Sequence, residues 1–367
     1  MSESNFESYP SLFRPPPNSP IQESNTDKTE PLLLDAAIPV IDYFKCITTT
    51  TTTTNQDVDY DDDKSICRNL IGEACRDWGL FRLVNHEIPV PLLNQIQEHA
   101  KKLFSLPYET KKALFSSSNN NIVSPISYFW GTPALTPSGA ALAQKRGPQE
   151  NNQSLQWMEG FNVSLAQLSH LHYQDLLLET FRCLLEEYGK QQARLATEIF
   201  KVLGSDLKLE PLQCQSYLSV ATGLLRVYRY PRCFEPERTW GIDVHTDSSV
   251  LSIIHQDDVG GLQVYKDHQW LHVKPLSNTL IVNIGDMLQA MSDDSYMSVK
   301  HRVKVNKLKE RISIGYFVFP AEDAVIQSSK YNPFTYADFR AQVQHDLKTV
   351  CLKTGLQKFK LPIKSLN

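Results

Sequence analysis

Apolar residues recur every three or four positions through much of the first two hundred residues and every second position after Ala221, so the chain predicts helices first and strands afterwards. IPVIDYF (38–44) reads as a first strand. A threonine run (48–54) and an acidic stretch (57–63) then form an insertion, 47–63, that reads as a disordered loop. From Lys64 the stripe Ile66, Leu70, Ala74 and Trp78 predicts a helix, followed by a short strand in GLFRLVNH (79–86). Leu92, Leu93, Ile96, Ala100 and Phe104 mark a second helix that stops before Leu106-Pro107. Residues 116–156 read as a long loop carrying the aromatics of YFWG (128–131). Residues 173–203 form a long amphipathic helix ending at Gly204, suited to be a spine beneath a sheet.

The second half is a quick succession of short strands: LLRVYRY, VHTDSSVLSIIHQ, GLQVYK, QWLHVKP, TLIVNIGD, SVKHRVKV and RISIGYFVF. Turn residues such as Gly260-Gly261 and Asp293-Asp294 separate them. That density predicts a sandwich, jelly roll or closed barrel. The boundaries that follow are a disordered tail at 1–34, a mixed amino-terminal region at 35–205 and a strand-rich domain with a carboxy-terminal helix at 206–367.

Composition narrows the function. Lys and Arg total 37 against 41 Asp and Glu, a net charge of -4, which lacks the basic footprint of a nucleic-acid binder and favours a small-molecule substrate. Seven cysteines without a CxxC pair read as reduced thiols of an intracellular protein. No leader-like apolar segment and no apolar run of eighteen residues is present, so neither a signal peptide nor a membrane span is expected, and the cytoplasm, with nuclear entry open, is the expected location. Oligomeric state is not legible.

The chemistry centres on His245-Thr246-Asp247. In a strand, residues two apart share a face, so an imidazole and a carboxylate would converge, and His301 on a later strand could join them. Two histidines and one carboxylate make the facial triad of non-haem iron, which leaves coordination positions open. The same ligands also suit catalytic zinc, and a strand histidine is ordinarily a plain surface or core residue. Downstream, Arg311, Ser313, Gly315, Phe317 and Phe319 share one face, and the Arg-Ser pair suits a carboxylate, with a structural ion pair as the bland alternative. Arg226, Tyr228 and Tyr230 share another face. Tyr230 could reach the same carboxylate, and Arg226 could face a substrate.

These segments resemble the plant 2-oxoglutarate- and Fe(II)-dependent dioxygenases across nearly all of the expected ordered chain. The resemblance is carried by ACRDWGLFRLVNH (74–86), LFSLPYETK (103–111), RYPRC (229–233), HTDSSVLSIIHQDDVGGLQV (245–264), LIVNIGDMLQAMS (280–292), SVKHRVKVN (298–306) and ERISIGYFVFP (310–320). It implies a mainly β protein with flanking helices, a double-stranded β-helix (jelly roll) core behind an α-helical amino-terminal part. It implies Fe(II) on His245, Asp247 and His301, and 2-oxoglutarate on Arg311, Ser313 and Tyr230. O2 would be the oxidant and ascorbate the reductant.

Two departures stand out. Tyr228 replaces a usual asparagine, and Glu87 in Asn85-His86-Glu87 replaces a usual glycine, which predicts an altered turn. Within the family the chain is most similar to gibberellin 2-oxidases acting on twenty-carbon precursors. A gibberellin would need a cation and an aromatic wall, for which Arg226, Phe317, Phe319, Tyr128 and Trp130 are the candidates. The alternatives are the same chemistry on auxin, a flavonoid or an alkaloid, or a non-catalytic ligand-binding protein.

Overall fold

The computed structural model describes residues 6–11, 14, 34–47, 59–115, 124–131, 156–234, 236–237, 239–350 and 353–362. Strand β1 (Val40–Asp42) leads through α1 (Tyr43–Ile47) and α2 (Asp59–Asp77) to β2 (Leu80–Val84). Helices α3 (Val90–Phe104) and α4 (Tyr108–Leu114) precede β3 (Ile126–Trp130) and β4 (Glu159–Ser164). Then come α5 (Leu165–Leu168), α6 (Leu176–Asp206) and α7 (Pro211–Tyr217). The strand-rich half holds β5 (Ser219–Tyr230), β6 (Trp240–His245), β7 (Leu251–Gln256), β8 (Leu262–Lys266), β9 (Gln269–His272) and β10 (Leu280–Ile284). It ends with α8 (Asp286–Met291), β11 (His301–Lys304), β12 (Arg311–Phe319), β13 (Val325–Ile326), β14 (Phe334–Thr335) and α9 (Tyr336–Thr349).

The strands build an eight-stranded sheet in the order β1-β2-β10-β7-β12-β5-β4-β3 and a four-stranded sheet in the order β6-β11-β8-β9. Their layers follow from side-chain alternation. On β12 the even residues Ile312, Ile314, Tyr316 and Val318 join the core shared with α3 and α6. The odd residues Arg311, Ser313, Phe317 and Phe319 line a cavity on the opposite face. A second apolar cluster, including Leu80, Tyr228, Tyr230, Leu262, Val264, Ile281 and Val303, brings residues of the two sheets together. Helices, large sheet, cavity and small sheet are thus stacked in that order, the double-stranded β-helix arrangement. Among the described residues no helix is long and apolar enough to cross a membrane.

The structure corrects several expectations. The buried stripe of α2 is Cys67, Ile71, Ala74 and Cys75, whereas Ile66 and Leu70 are 56% and 44% exposed, because an i, i+4 reading of one apolar set missed the neighbouring set that fits the packing. The backbone of that helix begins at Asp59, inside the stretch read as a loop, while the threonine run lies outside the described residues. Tyr128, Phe129 and Trp130 lie on β3, not in a loop. Helix α6 runs through Gly204 to Asp206, and that glycine admits the Cys214 thiol, which would lie 2.8 Å from a Cβ.

Cys46 of α1 and Cys67 of α2 form a disulfide across Cα atoms 5.4 Å apart, a pairing of adjacent helices that spacing alone did not reveal. The Asn85-His86-Glu87 turn keeps a left-handed residue, with Glu87 at φ 62°, so the side chain is accommodated in the conformation that glycine adopts more easily. Within the supposed tail, Ser8 and Tyr9 are buried. The Ser8 carbonyl accepts from the buried Lys111 ammonium at 3.0 Å, and the same ammonium donates to Glu159 at 2.6 Å. The rest of residues 1–33, apart from 6–11 and 14, lies outside the described set.

Candidate active site

His245 is the last residue of β6 and pairs directly with His301, the first of β11, in antiparallel register. Outward-facing Arg302 clamps β11 from behind, its guanidinium between Trp240 and Trp270 at 4.1 and 3.9 Å from the ring centres. Asp247 lies beyond the end of β6, so its convergence with His245 is not the two-residue period of a strand. It is held from elsewhere. Ser252 on β7 and Asn283 on β10 are cross-strand partners, and both donate to Asp247 Oδ2, Asn283 at 2.7 Å.

A polar residue on each of two apolar strands therefore fixes one carboxylate oxygen and leaves Oδ1 facing inward. Oδ1 stands 3.8 Å from His245 Nε2 and 3.7 Å from His301 Nε2. Those separations are too long for hydrogen bonds, and the three side chains each offer one ligand atom within 4.8 Å of the others, a grouping that could hold a metal ion.

The imidazoles are oriented by the backbone. His245 Nδ1 lies 2.7 Å from the Asp243 carbonyl and His301 Nδ1 lies 3.1 Å from that of Val299, so protonated Nδ1 atoms leave both Nε2 lone pairs for the shared centre. Burial, with His301 alongside, pushes the His245 pKa down to about 3, keeping it neutral at physiological pH. The Asp247 carboxyl is held below its ordinary range: burial opposes ionisation, but the two histidines and the Ser252 and Asn283 donors outweigh it. Neutral imidazoles and an ionised carboxylate are the protonation states metal binding needs. No other group of three or more His, Cys, Asp or Glu side chains among the described residues has this arrangement.

Gly285 lets the chain after β10 come close. A Cβ there would lie 2.0 Å from the Ser249 carbonyl, so glycine is required for the Asp286 amide to reach the Asp247 carbonyl at 2.8 Å.

The same cavity, about 300 Å³, reaches Arg311, Ser313 and Tyr230. Arg311 is 3% exposed, donates to Ser313 Oγ at 3.1 Å and to Gln256 Oε1 at 2.9 Å, and lies over the Tyr230 ring. Its Nε has no partner, and among the described residues no carboxylate pairs with it. A buried guanidinium in that state calls for an anion, and its planar fork suits a carboxylate. Burial, against the pull of Arg311, pushes the Tyr230 phenol up to about 12, so it remains a donor. The site thus fits a metal ion together with a dicarboxylate such as 2-oxoglutarate.

Of the five residues proposed to meet a substrate, Arg226, Phe317 and Phe319 line this cavity and Tyr128 does not. Tyr128 donates its hydroxyl to Glu159 at 2.6 Å, in the ionic cluster around Lys111, because its parity on β3 faces that cluster. Trp130 is also absent from the wall and packs against Tyr9 and Trp157. Sequence reasoning missed Ser252 and Asn283, whose polarity within LSIIHQ and LIVNI was the available signal, and Val343, Leu347 and Lys353, which reach the cavity from the carboxy-terminal region.

A double-stranded β-helix with a two-histidine, one-carboxylate centre and a buried arginine beside it defines a non-haem iron oxygenase using 2-oxoglutarate. Residues 221–320 match the 2OG-Fe(II) oxygenase superfamily, and residues 38–175 match the "non-haem dioxygenase in morphine synthesis N-terminal" family. The chain belongs to the 2OG-Fe(II) oxygenase superfamily and is an oxidoreductase that uses Fe(II) and 2-oxoglutarate.

It is 33% identical to gibberellin 2-beta-dioxygenase 8 of Arabidopsis thaliana, over 89% of this chain and 87% of that one. It is 32% identical to gibberellin 2-beta-dioxygenase 7 of the same plant, over 94% of each. Among solved structures, that of JOX2 in complex with 2OG, Fe and JA superposes with a TM-score of 0.67 at 27% identity, covering 95% of this chain and 99% of that one.

Proposed function

We propose that this chain hydroxylates a C–H bond of a rigid, largely apolar plant acid, and that the acid is a gibberellin or twenty-carbon precursor oxidised at the 2-beta position. His245, Asp247 and His301 would hold the iron. Arg311, Ser313 and Tyr230 would hold the distal carboxylate of 2-oxoglutarate. When bound, iron with 2-oxoglutarate and O2 supplies the oxidising equivalent, and ascorbate would keep the metal reduced.

The observation that carries the substrate reading is a second cation in the same cavity. Among the described residues Arg226 donates only to Tyr228, at 3.4 Å, its Nε has no partner and no carboxylate pairs with it. Its guanidinium lies over the Phe317 ring at 5.3 Å. One arginine answers the cosubstrate, and the other, backed by Phe317 and Phe319, answers an oxyanion on an apolar body. The gibberellin assignment rests on the names of relatives that match nearly the whole chain.

Jasmonate is a second reading, supported by the JOX2 complex and by 31% identity to jasmonate-induced oxygenase 1 of Arabidopsis thaliana over 93% of this chain. Purified protein with Fe(II), 2-oxoglutarate and ascorbate is incubated with twenty- and nineteen-carbon gibberellins, jasmonate and an auxin, and succinate and product mass are read. A gibberellin product 16 mass units heavier is expected. A hydroxylated jasmonate or auxin without any gibberellin product overturns the assignment.

A further inference from the structure

The cavity holds a third cation whose surroundings set it apart. Lys353, beyond α9, donates to Asp286 Oδ2 at 2.6 Å, to the Thr246 carbonyl at 2.8 Å and to Thr246 Oγ1 at 3.3 Å. An ammonium has three protons, and here all three have acceptors within the protein. Unlike Arg226, Lys353 therefore has no unused donor for a ligand. Thr246 is the residue between His245 and Asp247.

The contacts continue on both sides. The Thr246 hydroxyl also donates to Asp286 Oδ2 at 3.3 Å, and the Asp286 amide donates to the Asp247 carbonyl at 2.8 Å. Lys353 and Asp286 expose 15% and 6% of their side chains, so this ion pair is shielded from solvent. Toward α9, the Thr354 amide donates to Asp346 at 3.1 Å and the Thr354 hydroxyl donates to the same carboxylate. The Lys353 ammonium lies 5.6 Å from the centre of the Phe339 ring. From the same helix, Val343 and Leu347 form part of the cavity wall.

We propose that Lys353 is a positioning residue for the oxygenase reaction: it ties the carboxy-terminal wall of the substrate cavity to the backbone between two ligands, so that the wall's position and the ligands' geometry are coupled. The inference rests on His245, Asp247 and His301 being the ligands. Its consequence is that loosening the tether leaves 2-oxoglutarate binding at Arg311 intact while the His245-Thr246-Asp247 segment gains freedom.

The test uses the full chain with K353R, K353M and the double variant K353M/D286N. The double variant keeps the experiment informative if K353M fails to fold, because K353M alone strands a buried carboxylate. Two readouts do not depend on turnover. Hydrogen exchange of the metal-free protein is followed for a peptide spanning 245–250 and for one in β12, and release of Co(II) to a chelator is timed. The expected result is faster exchange at 245–250 only and Co(II) release accelerated by about tenfold in K353M/D286N, within the usual range for residues that orient ligands. K353R should return both towards wild type. With substrate, the variant should form more succinate per product while the 2-oxoglutarate KM stays within about twofold of wild type.

Unchanged exchange and release in a variant that merely melts earlier overturns the tether and leaves the ligand assignment standing. Wild-type protein that takes up no Co(II) or Fe(II) overturns the ligand assignment instead, and the exchange measurement on metal-free protein then decides the tether separately.

Discussion

Replacing Ser252 with alanine tests the site's construction. Asp247 presents Oδ1 to the metal centre because Oδ2 is held by two donors, the Ser252 hydroxyl and the Asn283 amide. A hydrogen bond to a charged group contributes roughly 1.5–3 kcal/mol, and losing one of the two converts to a metal affinity roughly ten- to a hundredfold weaker. The change deletes one oxygen at a fully buried position, so the apolar core beneath is unaltered. The Arg311 wall is not touched. The expected outcome of Ser252→Ala is thus an Fe(II) dissociation constant raised about tenfold, a 2-oxoglutarate KM near wild type, and a metal-free melting temperature within a few degrees of it. Anaerobic competition against a chelator of known affinity measures the first quantity. Iron affinity within twofold of wild type would refute the argument that Ser252 aims the carboxylate, as would a loss of melting temperature large enough to explain the weaker binding by itself.

Arg311→Lys should raise the 2-oxoglutarate KM by about tenfold or more while leaving kcat at saturation within a few-fold, because a point charge replaces a planar fork; succinate formation against 2-oxoglutarate concentration checks it. Arg226→Met should raise KM for an acidic substrate and leave the 2-oxoglutarate KM unchanged, whereas parallel changes in both would show that the two arginines do not serve separate ligands. Lys111→Met bears on stability and its pH dependence. Burial pushes the Lys111 pKa down from 10.5 to about 8, although Glu159 opposes the shift. The folded protein therefore releases this proton before the unfolded chain does, and the group's contribution to stability rises between pH 8 and 10.5 and is level below 8. Urea midpoints at pH 7, 8.5 and 10 should show that rise in wild type relative to Lys111→Met; parallel profiles would refute it.

The period of two carried much of the fold, and it worked best where both faces of a strand are buried for different reasons. Along β12 every residue is buried, so hydropathy alone would not separate the faces. Arg311 and Ser313 marked the cavity side, and that parity placed Phe317 and Phe319 correctly. It did not reach Tyr128, which the sequence places in a loop and the structure on a strand. An aromatic on an edge strand carries no local mark of which layer it enters, and β4 turns Tyr128 towards the Lys111 and Glu159 cluster. The buried stripe of α2 failed similarly, since Cys67 and Cys75 are as apolar in packing as the Ile66 and Leu70 they displaced.

What the sequence concealed about the site was mostly long-range. His245 and Asp247 are neighbours in sequence, yet a strand ends between them, and the carboxylate's direction is set by residues 5 and 36 positions away. Lys353 lies 107 positions from the Thr246 carbonyl it grips. Tyr228, the departure from the family pattern, turns out to share the face of Arg226 and to be the only acceptor that guanidinium has among the described residues. With Tyr228 in place of the usual asparagine, a phenol borders the cation proposed to meet the substrate, while Ser252, Asn283 and the Asp247 carboxylate they hold are apart from it. If Arg226 meets the substrate as proposed, the cation and the phenol beside it lie on β5, whereas the side chains that would hold and orient the metal come from β6, the residues just after it, β7, β10 and β11.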